Sequence, residues 1–166
     1  MLVTFLGNPV QLAGEFVTAG QMAPNFTLCD KELNDFGLER FKGKRIILNI
    51  FPSVDTPTCA NSVRAFNTVA DSLQGAEVVC VSADLPFALA RFVDEEKLSN
   101  VVIASCFRSP TFAADYGVAL SEGALRGLTS RAVVVLDEEG HILHAELVKE
   151  ISEEPDYSAA VRAIQG

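Results

Sequence analysis

Two stretches of this chain are apolar with almost no interruption: Arg45-Ile46-Ile47-Leu48-Asn49-Ile50-Phe51 and Glu77-Val78-Val79-Cys80-Val81-Ser82-Ala83. Such runs suit central strands of a sheet covered on both faces. Each is followed by a helical pattern. From Ala60 to Gln74 the apolar residues Val63, Phe66, Val69, Ala70 and Leu73 fall on one stripe, and Gly75 follows the end. From about Pro86 to Leu98 a second helix is predicted, with Pro86 at its first position and Asp84 close enough to cap it. Val101 to Ser105 reads as a third, short strand, and Ser109-Pro110 opens a helix that Gly117 ends. This alternation implies parallel strands joined by right-handed crossovers.

The two ends of the chain differ from this middle. The start reads as a hairpin, Val3 to Leu6 and Val10 to Leu12 around a Gly7-Asn8 turn, followed by a strand at Asn25 to Cys29. Near the other end, Arg131–Asp137 and His141–Val148 form an antiparallel hairpin across Glu138-Glu139-Gly140, and a closing helix runs from about Asp156 to Ile164. The expected class is α/β with a mixed central sheet flanked by helices. The plan is thioredoxin-like with an N-terminal β-hairpin extension, and residues 1–166 are expected to form a single domain.

Composition adds exclusions. The chain carries a net charge of −9 without a Lys/Arg cluster, which disfavours nucleic acid as a partner. No segment approaches the roughly 20 apolar residues needed to span a bilayer. The first basic residue is Lys31 and Glu15 interrupts the early apolar residues, so no secretory signal is read and the expected location is cytoplasmic. The four cysteines, Cys29, Cys59, Cys80 and Cys106, are widely spaced. In a reducing compartment most such thiols are small core residues, and Cys80, inside an apolar strand, fits that description.

Cys59 is different. It lies between the strand ending at Phe51 and the helix from Ala60, at the carboxyl end of a strand where open α/β sheets place their chemistry. A thiol becomes a good nucleophile as a thiolate, and a helix N-terminus favours negative charge through its free N–H groups and dipole. Thr56, three residues back, offers a hydroxyl, and Pro52, seven back, stiffens the exit from the strand. Taken alone, Pro52, Asp55, Thr56 and Pro57 are equally well turn formers. Other candidates are weaker. His141 and His144 are three apart on a strand and point to opposite faces, and the cysteines lack C-x-x-C spacing. No metal and no cofactor are expected.

The pattern Pro52-x-x-x-Thr56-x-x-Cys59 resembles the active-site signature of the peroxiredoxins. The blocks Gly7-Asn8-Pro9-Val10, Asn49-Ile50-Phe51-Pro52-Ser53, Ser82-Ala83-Asp84-Leu85-Pro86-Phe87, Arg131-Ala132-Val133-Val134-Val135 and Glu154-Pro155-Asp156-Tyr157 resemble the bacterial thiol peroxidase branch over essentially the whole chain. The resemblance implies that the Cys59 thiolate attacks a hydroperoxide, organic hydroperoxides being preferred over hydrogen peroxide, and becomes a sulfenic acid. It also implies that Thr56, the helix-end N–H groups and Arg131 stabilise the developing charge. On spacing alone, Arg131 has no claim over Arg126 or Arg64. Thioredoxin or another thiol is the implied reductant, and a homodimer the implied assembly. Phe87, Phe92, Phe107 and Phe112 are candidates for an apolar substrate pocket, or for core.

One position departs from the branch. Its resolving cysteine, which closes a disulfide with the first, belongs on the helix after the Ser-Ala-Asp-Leu-Pro block, where this chain reads Arg91-Phe92-Val93. Valine cannot do that chemistry. Cys106 is then an alternative resolving residue, or the enzyme works with one cysteine and an external thiol, or Val93 is an engineered substitution. The one-cysteine reading is preferred, because a disulfide requires close approach to Cys59. A rival reading of the whole chain is a catalytically impaired, thioredoxin-like redox-sensing or interaction module. Retention of Pro52, Thr56, Cys59 and Arg131 together argues against it.

Overall fold

A computed structural model describes residues 1–166. The strands are β1 (Leu2–Phe5), β2 (Asn8–Ala13), β3 (Leu28–Cys29), β4 (Asp35–Phe36), β5 (Arg45–Ile50), β6 (Ala76–Ser82), β7 (Val102–Ser105), β8 (Ala119–Leu120), β9 (Ala132–Leu136) and β10 (Ile142–Leu147). The helices are α1 (Pro57–Asp71), α2 (Pro86–Glu96), α3 (Phe112–Tyr116) and α4 (Tyr157–Gln165), with a 3-10 turn at Leu38–Phe41. Seven strands form a mixed sheet in the order β10-β9-β5-β6-β7-β3-β4, with β5, β6 and β7 parallel and the others antiparallel to their neighbours.

Because successive side chains of a strand point to opposite faces, β5 feeds two cores. Ile46, Leu48 and Ile50 pack with Phe26, Phe112 and Tyr116 on the face covered by α3 and the segment before β3. Ile47 and Phe51 pack with Val63, Phe66, Leu89 and Ala160 on the face covered by α1, α2 and α4. This two-sided burial is why β5 and β6 lack polar alternation. The stripe on α1 is anchored by Val63 and Phe66, both fully buried, and each contributes about 1.5–3 kcal/mol by leaving water. Phe66→Ala would cost about 3–5 kcal/mol, the usual range for emptying such a site. Gly117 ends α3 with a φ of +71°, and a Cβ there would lie 2.1 Å from the Glu15 carbonyl oxygen, so no larger residue fits.

Several details differ from expectation. The N-terminal turn is displaced by one residue: Phe5 pairs with Asn8, so Leu6 and Gly7 form the two-residue loop, with φ of 51° and 82°. Positive φ at both positions is the type I′ geometry that suits a right-twisted hairpin. This hairpin is extended by β8, a short strand that carries no pattern of its own, into a second, three-stranded sheet. Only Leu28–Cys29 of the predicted Asn25–Cys29 strand pairs. Helix α1 begins at Pro57 rather than Ala60, because Thr56 caps it and Pro57 takes its first position. Asp84 does not cap α2: the N-cap is Leu85, without a side-chain bond, and the Asp84 carboxylate is used elsewhere. No helix is long and apolar enough to cross a membrane.

Candidate active site

The loop from Phe51 to Thr56 carries the chain from β5 into α1. Thr56, in extended conformation, accepts the N–H of Cys59 on its Oγ1 at 3.3 Å, which makes Cys59 the third residue of the helix. The hydroxyl of Thr56 donates in turn to the Ser53 carbonyl at 3.3 Å. Pro52 is buried at the start of this loop. The Cys59 side chain is 0 % exposed and faces the core shared by α1, α2 and α4. Its sulfur is therefore reached only when neighbouring side chains open.

Arg131 precedes β9, the strand antiparallel to β5, and its guanidinium reaches back to the start of α1. Its Nη2 donates to Cys59 Sγ at 3.2 Å and its Nε donates to the Ile151 carbonyl at 2.9 Å. The side chain is 1 % exposed, and its Nη1 is buried without a partner. Arg131 takes part in none of the ion pairs of the molecule. A desolvated cation without a carboxylate is costly, and the side-chain group that its Nη2 reaches is the sulfur of Cys59. The other two arginines weighed from sequence lie elsewhere: Arg64 is tied to Glu96, and Arg126 lines a separate cavity with Cys106.

Asp84 and Ser53 are contributors that the sequence did not single out. From the end of β6, the Asp84 carboxylate accepts Ser53 Oγ at 2.7 Å, Val54 N at 2.9 Å and Ser82 Oγ at 2.6 Å. Ser53 Oγ also accepts the N–H of Asp55 at 3.1 Å. The clasp fixes the loop that carries Thr56 and Cys59 against the neighbouring parallel strand. An Asp at the carboxyl end of a strand adjacent to β5 was the available signal, since that edge of the sheet is where site residues gather. Beneath the loop, Ser62 Oγ donates to the Cys59 carbonyl at 2.8 Å and accepts Asn49 Nδ2 at 3.2 Å.

The other cysteines are all free thiols. Cys80 shares the α1 face but is fully buried mid-strand, where loss of water pushes its thiol up to about 12. Cys106 packs against the core on the opposite face of the sheet, and burial pushes it up to about 11. Cys29 lies in β3, with β6 and β7 between it and β5. At about 4.8 Å per strand that separation is far beyond disulfide reach. Val93 is buried in the same core as Cys59. Among the four phenylalanines, Phe92 and Phe112 are buried in opposite cores and cannot line one pocket, whereas Phe87 and Phe107 are exposed. His141 bonds to Asp137 rather than to His144, and no group of three or more His, Cys, Asp or Glu side chains converges.

The redoxin family model matches residues 18–161. The chain belongs to the redoxin family. It is 50 % identical over 164 residues to the thiol peroxidase of Vibrio cholerae serotype O1, covering 99 % of this chain and 100 % of that protein. Among solved structures, the peroxiredoxin-like protein from Aquifex aeolicus superposes with a TM-score of 0.94 at 37 % identity, covering 99 % of this chain and 95 % of that one. The thiol peroxidase from Chromobacterium violaceum superposes with a TM-score of 0.92 at 26 % identity, with the same coverage. Within the redoxins the chain is thus a peroxiredoxin of the thiol peroxidase branch, with a thioredoxin-like fold and thiol-dependent peroxide reduction as its activity.

Proposed function

We propose that Cys59 is the thiol that performs this reduction, with Arg131 and Thr56 as its partners. The observation that carries the assignment is the 3.2 Å contact between the Arg131 guanidinium and Cys59 Sγ in a site without any other counter-charge for that arginine. The thiolate attacks the terminal oxygen of a hydroperoxide. An S–O bond forms, the O–O bond breaks, and the departing oxygen takes a proton to leave as alcohol or water. Negative charge spreads from sulfur over both oxygens in the transition state, and fixed donors are worth most there. The guanidinium supplies them from a rigid plane. The Thr56 hydroxyl has one proton, held by the Ser53 carbonyl in the resting state. Donation to a peroxide oxygen requires that hydroxyl to rotate. Pro52 supports the loop.

Recycling uses an external thiol, thioredoxin or a smaller one. A thiol attacks the sulfenic sulfur, water leaves, and a second thiol releases Cys59 from the mixed disulfide. The burial of Cys80, the opposite-face position of Cys106 and the remoteness of Cys29 support this one-cysteine scheme over internal resolution. Organic hydroperoxides are the favoured substrates. Four free thiols suit the cytoplasm. Leu85, Phe87 and Phe107 are exposed apolar side chains available to the homodimer that the resemblance implies. The decisive experiment is Cys59→Ser in a peroxide-consumption assay with a thioredoxin system and, separately, a small thiol. Consumption is expected to vanish, and a variant that retains it would refute the assignment. Peroxide without thiol is expected to leave Cys59 as a sulfenic acid that over-oxidises, whereas a Cys59–Cys106 disulfide in the mass spectrum would reject the one-cysteine scheme.

A further inference from the structure

The loop from Val148 to Ser152 is held on both sides. On one side the Val148 N–H donates to the Arg131 carbonyl at 3.0 Å, and the Ile151 carbonyl accepts Arg131 Nε at 2.9 Å. On the other side Thr4 of β1 bonds to the loop backbone twice, through its N–H to Lys149 and its carbonyl to Ile151, at 2.7 and 2.8 Å. The Ile151 side chain is buried among Val3, Val10, Leu12 and Leu120, the core of the small sheet. The carboxylate of Glu150 closes the arrangement. It accepts Thr4 Oγ1 at 2.5 Å, Leu6 N at 2.9 Å and Gly7 N at 3.1 Å from the hairpin, and Ser152 Oγ at 2.6 Å from its own loop. Leu6 is one of three non-glycine residues with positive φ, a conformation uncommon for leucine. The Glu150 carboxylate gathers the N–H groups of that turn. The bonds from Ser152 and Thr4 hold this carboxyl down to about 2, so it is an acceptor throughout the working range.

We propose that the N-terminal hairpin is part of the reaction machinery, with Glu150 as the positioning residue through which the hairpin holds the Ile151 carbonyl and so orients Arg131 toward the sulfur of Cys59. Nε fixed on a carbonyl sets the plane of the guanidinium, and the plane decides whether Nη2 faces Sγ. Glu150 itself never touches the reacting atoms. Its effect reaches them through one backbone acceptor and one side chain.

The inference rests on the reading of Cys59 and Arg131 given above, and a double-mutant cycle separates the two. Wild type, Glu150→Gln, Arg131→Lys and the double variant are each treated with a hydroperoxide and, in parallel, with iodoacetamide. Iodoacetamide is a neutral electrophile that reports thiolate access without requiring the guanidinium plane. Glu150→Gln is expected to slow sulfenic acid formation about tenfold, the order expected for a donor displaced by a fraction of an ångström, and to change alkylation by less than about threefold. In the Arg131→Lys background the same substitution is expected to add less than about twofold, because the plane it orients is gone. An equal loss in both backgrounds, a parallel loss of alkylation, or an unaffected peroxide rate overturns the coupling. A wild-type chain that forms no sulfenic acid overturns the underlying reading instead, and the coupling with it. If Glu150→Gln does not fold, Thr4→Val removes one donor while keeping shape, and its peroxide rate is expected to fall about threefold in the wild-type background only. The same loss in both backgrounds would again refute the proposal.

Discussion

Replacing Arg131 by methionine should lower activity far more than it changes stability. The guanidinium supplies the donor at 3.2 Å from Cys59 Sγ, where the proposed mechanism redistributes charge as the peroxide bond breaks. Removing one preorganised donor of this kind costs about a hundred- to a thousandfold in rate, about 2.7–4 kcal/mol. For folding, opposing contributions nearly cancel. The buried Nη1 has no partner, at a cost of about 1–3 kcal/mol, and a desolvated charge adds to it. Methionine removes both penalties at similar length, but it leaves the Ile151 carbonyl without its donor, a loss of about 1 kcal/mol, and the buried Cys59 sulfur without its counter-charge. The net change in stability should lie within about 2 kcal/mol of zero. The chain has no tryptophan and two tyrosines, so the rate is best read by quenched-flow trapping of the sulfenic acid and mass spectrometry, with stability from thermal melting. A peroxide rate within about threefold of wild type would refute the role given to the arginine. So would a fall in Tm beyond about 6 °C, about 2 kcal/mol for a chain of this length, because the guanidinium would then be a structural element.

Asp84→Ala strands three donors, Ser53 Oγ, Val54 N and Ser82 Oγ, and should cost about 2–4 kcal/mol of stability together with a slower peroxide reaction. Urea midpoints read the first effect, and an unchanged midpoint would mean that the clasp does not hold the loop. Cys80 and Cys106, pushed up to about 12 and about 11, should resist iodoacetamide at pH 8 until urea exposes them, since roughly one Cys106 in a thousand and fewer Cys80 are thiolates there. Both thiols ionise near 9 when unfolded and at higher pH when folded. The stability they contribute is therefore fully present below pH 9 and lost as pH rises toward about 11–12. Tm should fall between pH 8 and pH 10.5, and Cys80→Ala should flatten that fall. A slope that the substitution leaves unchanged would assign it to other groups.

Much of this architecture was legible because two different patterns, unbroken apolar runs and a helical stripe, are written into the chain. The apolar runs of β5 and β6 and the 3.6-residue stripe of α1 leave little choice of element or order. Thr56-Pro57 even carries the start signal of α1, a capping hydroxyl followed by proline, although the periodic stripe alone begins later. What stayed hidden depends on contacts distant in sequence. Asp84 stands two residues before Pro86, where a local reading makes it a cap, yet its carboxylate serves a loop 30 residues earlier. β8 is two residues long and acquires its identity only by pairing with Leu12 and Ala13. The burial of Arg131 is likewise invisible locally, because an arginine before a strand is ordinarily solvated. Only the approach of β9 to β5 and of the 148–152 loop to the hairpin encloses it.

The proposed scheme assigns attack on peroxide and release from the oxidised state to separate parts of this fold, and that separation would let valine stand at position 93. Cys59, the Thr56 cap and Arg131 are carried by the β5–α1 junction and the start of β9, and are braced by Asp84 from β6 and by the loop after β10. None of these bonds involves α2 beyond the exposed pair of Arg91 with Asp55, and a surface pair of that kind contributes at most about 1 kcal/mol. Val93 fills its place in the α2 core as a cysteine of similar size would, so the packing under Cys59 keeps its volume. In the proposed one-cysteine scheme the chain thus lacks an internal reductant while the site at Cys59 stays intact. Turnover becomes limited by the concentration and access of an external thiol, so the steady-state rate should rise in proportion to that thiol while the rate of sulfenic acid formation stays fixed. A steady-state rate independent of the thiol at low concentration would show that the chain resolves itself after all.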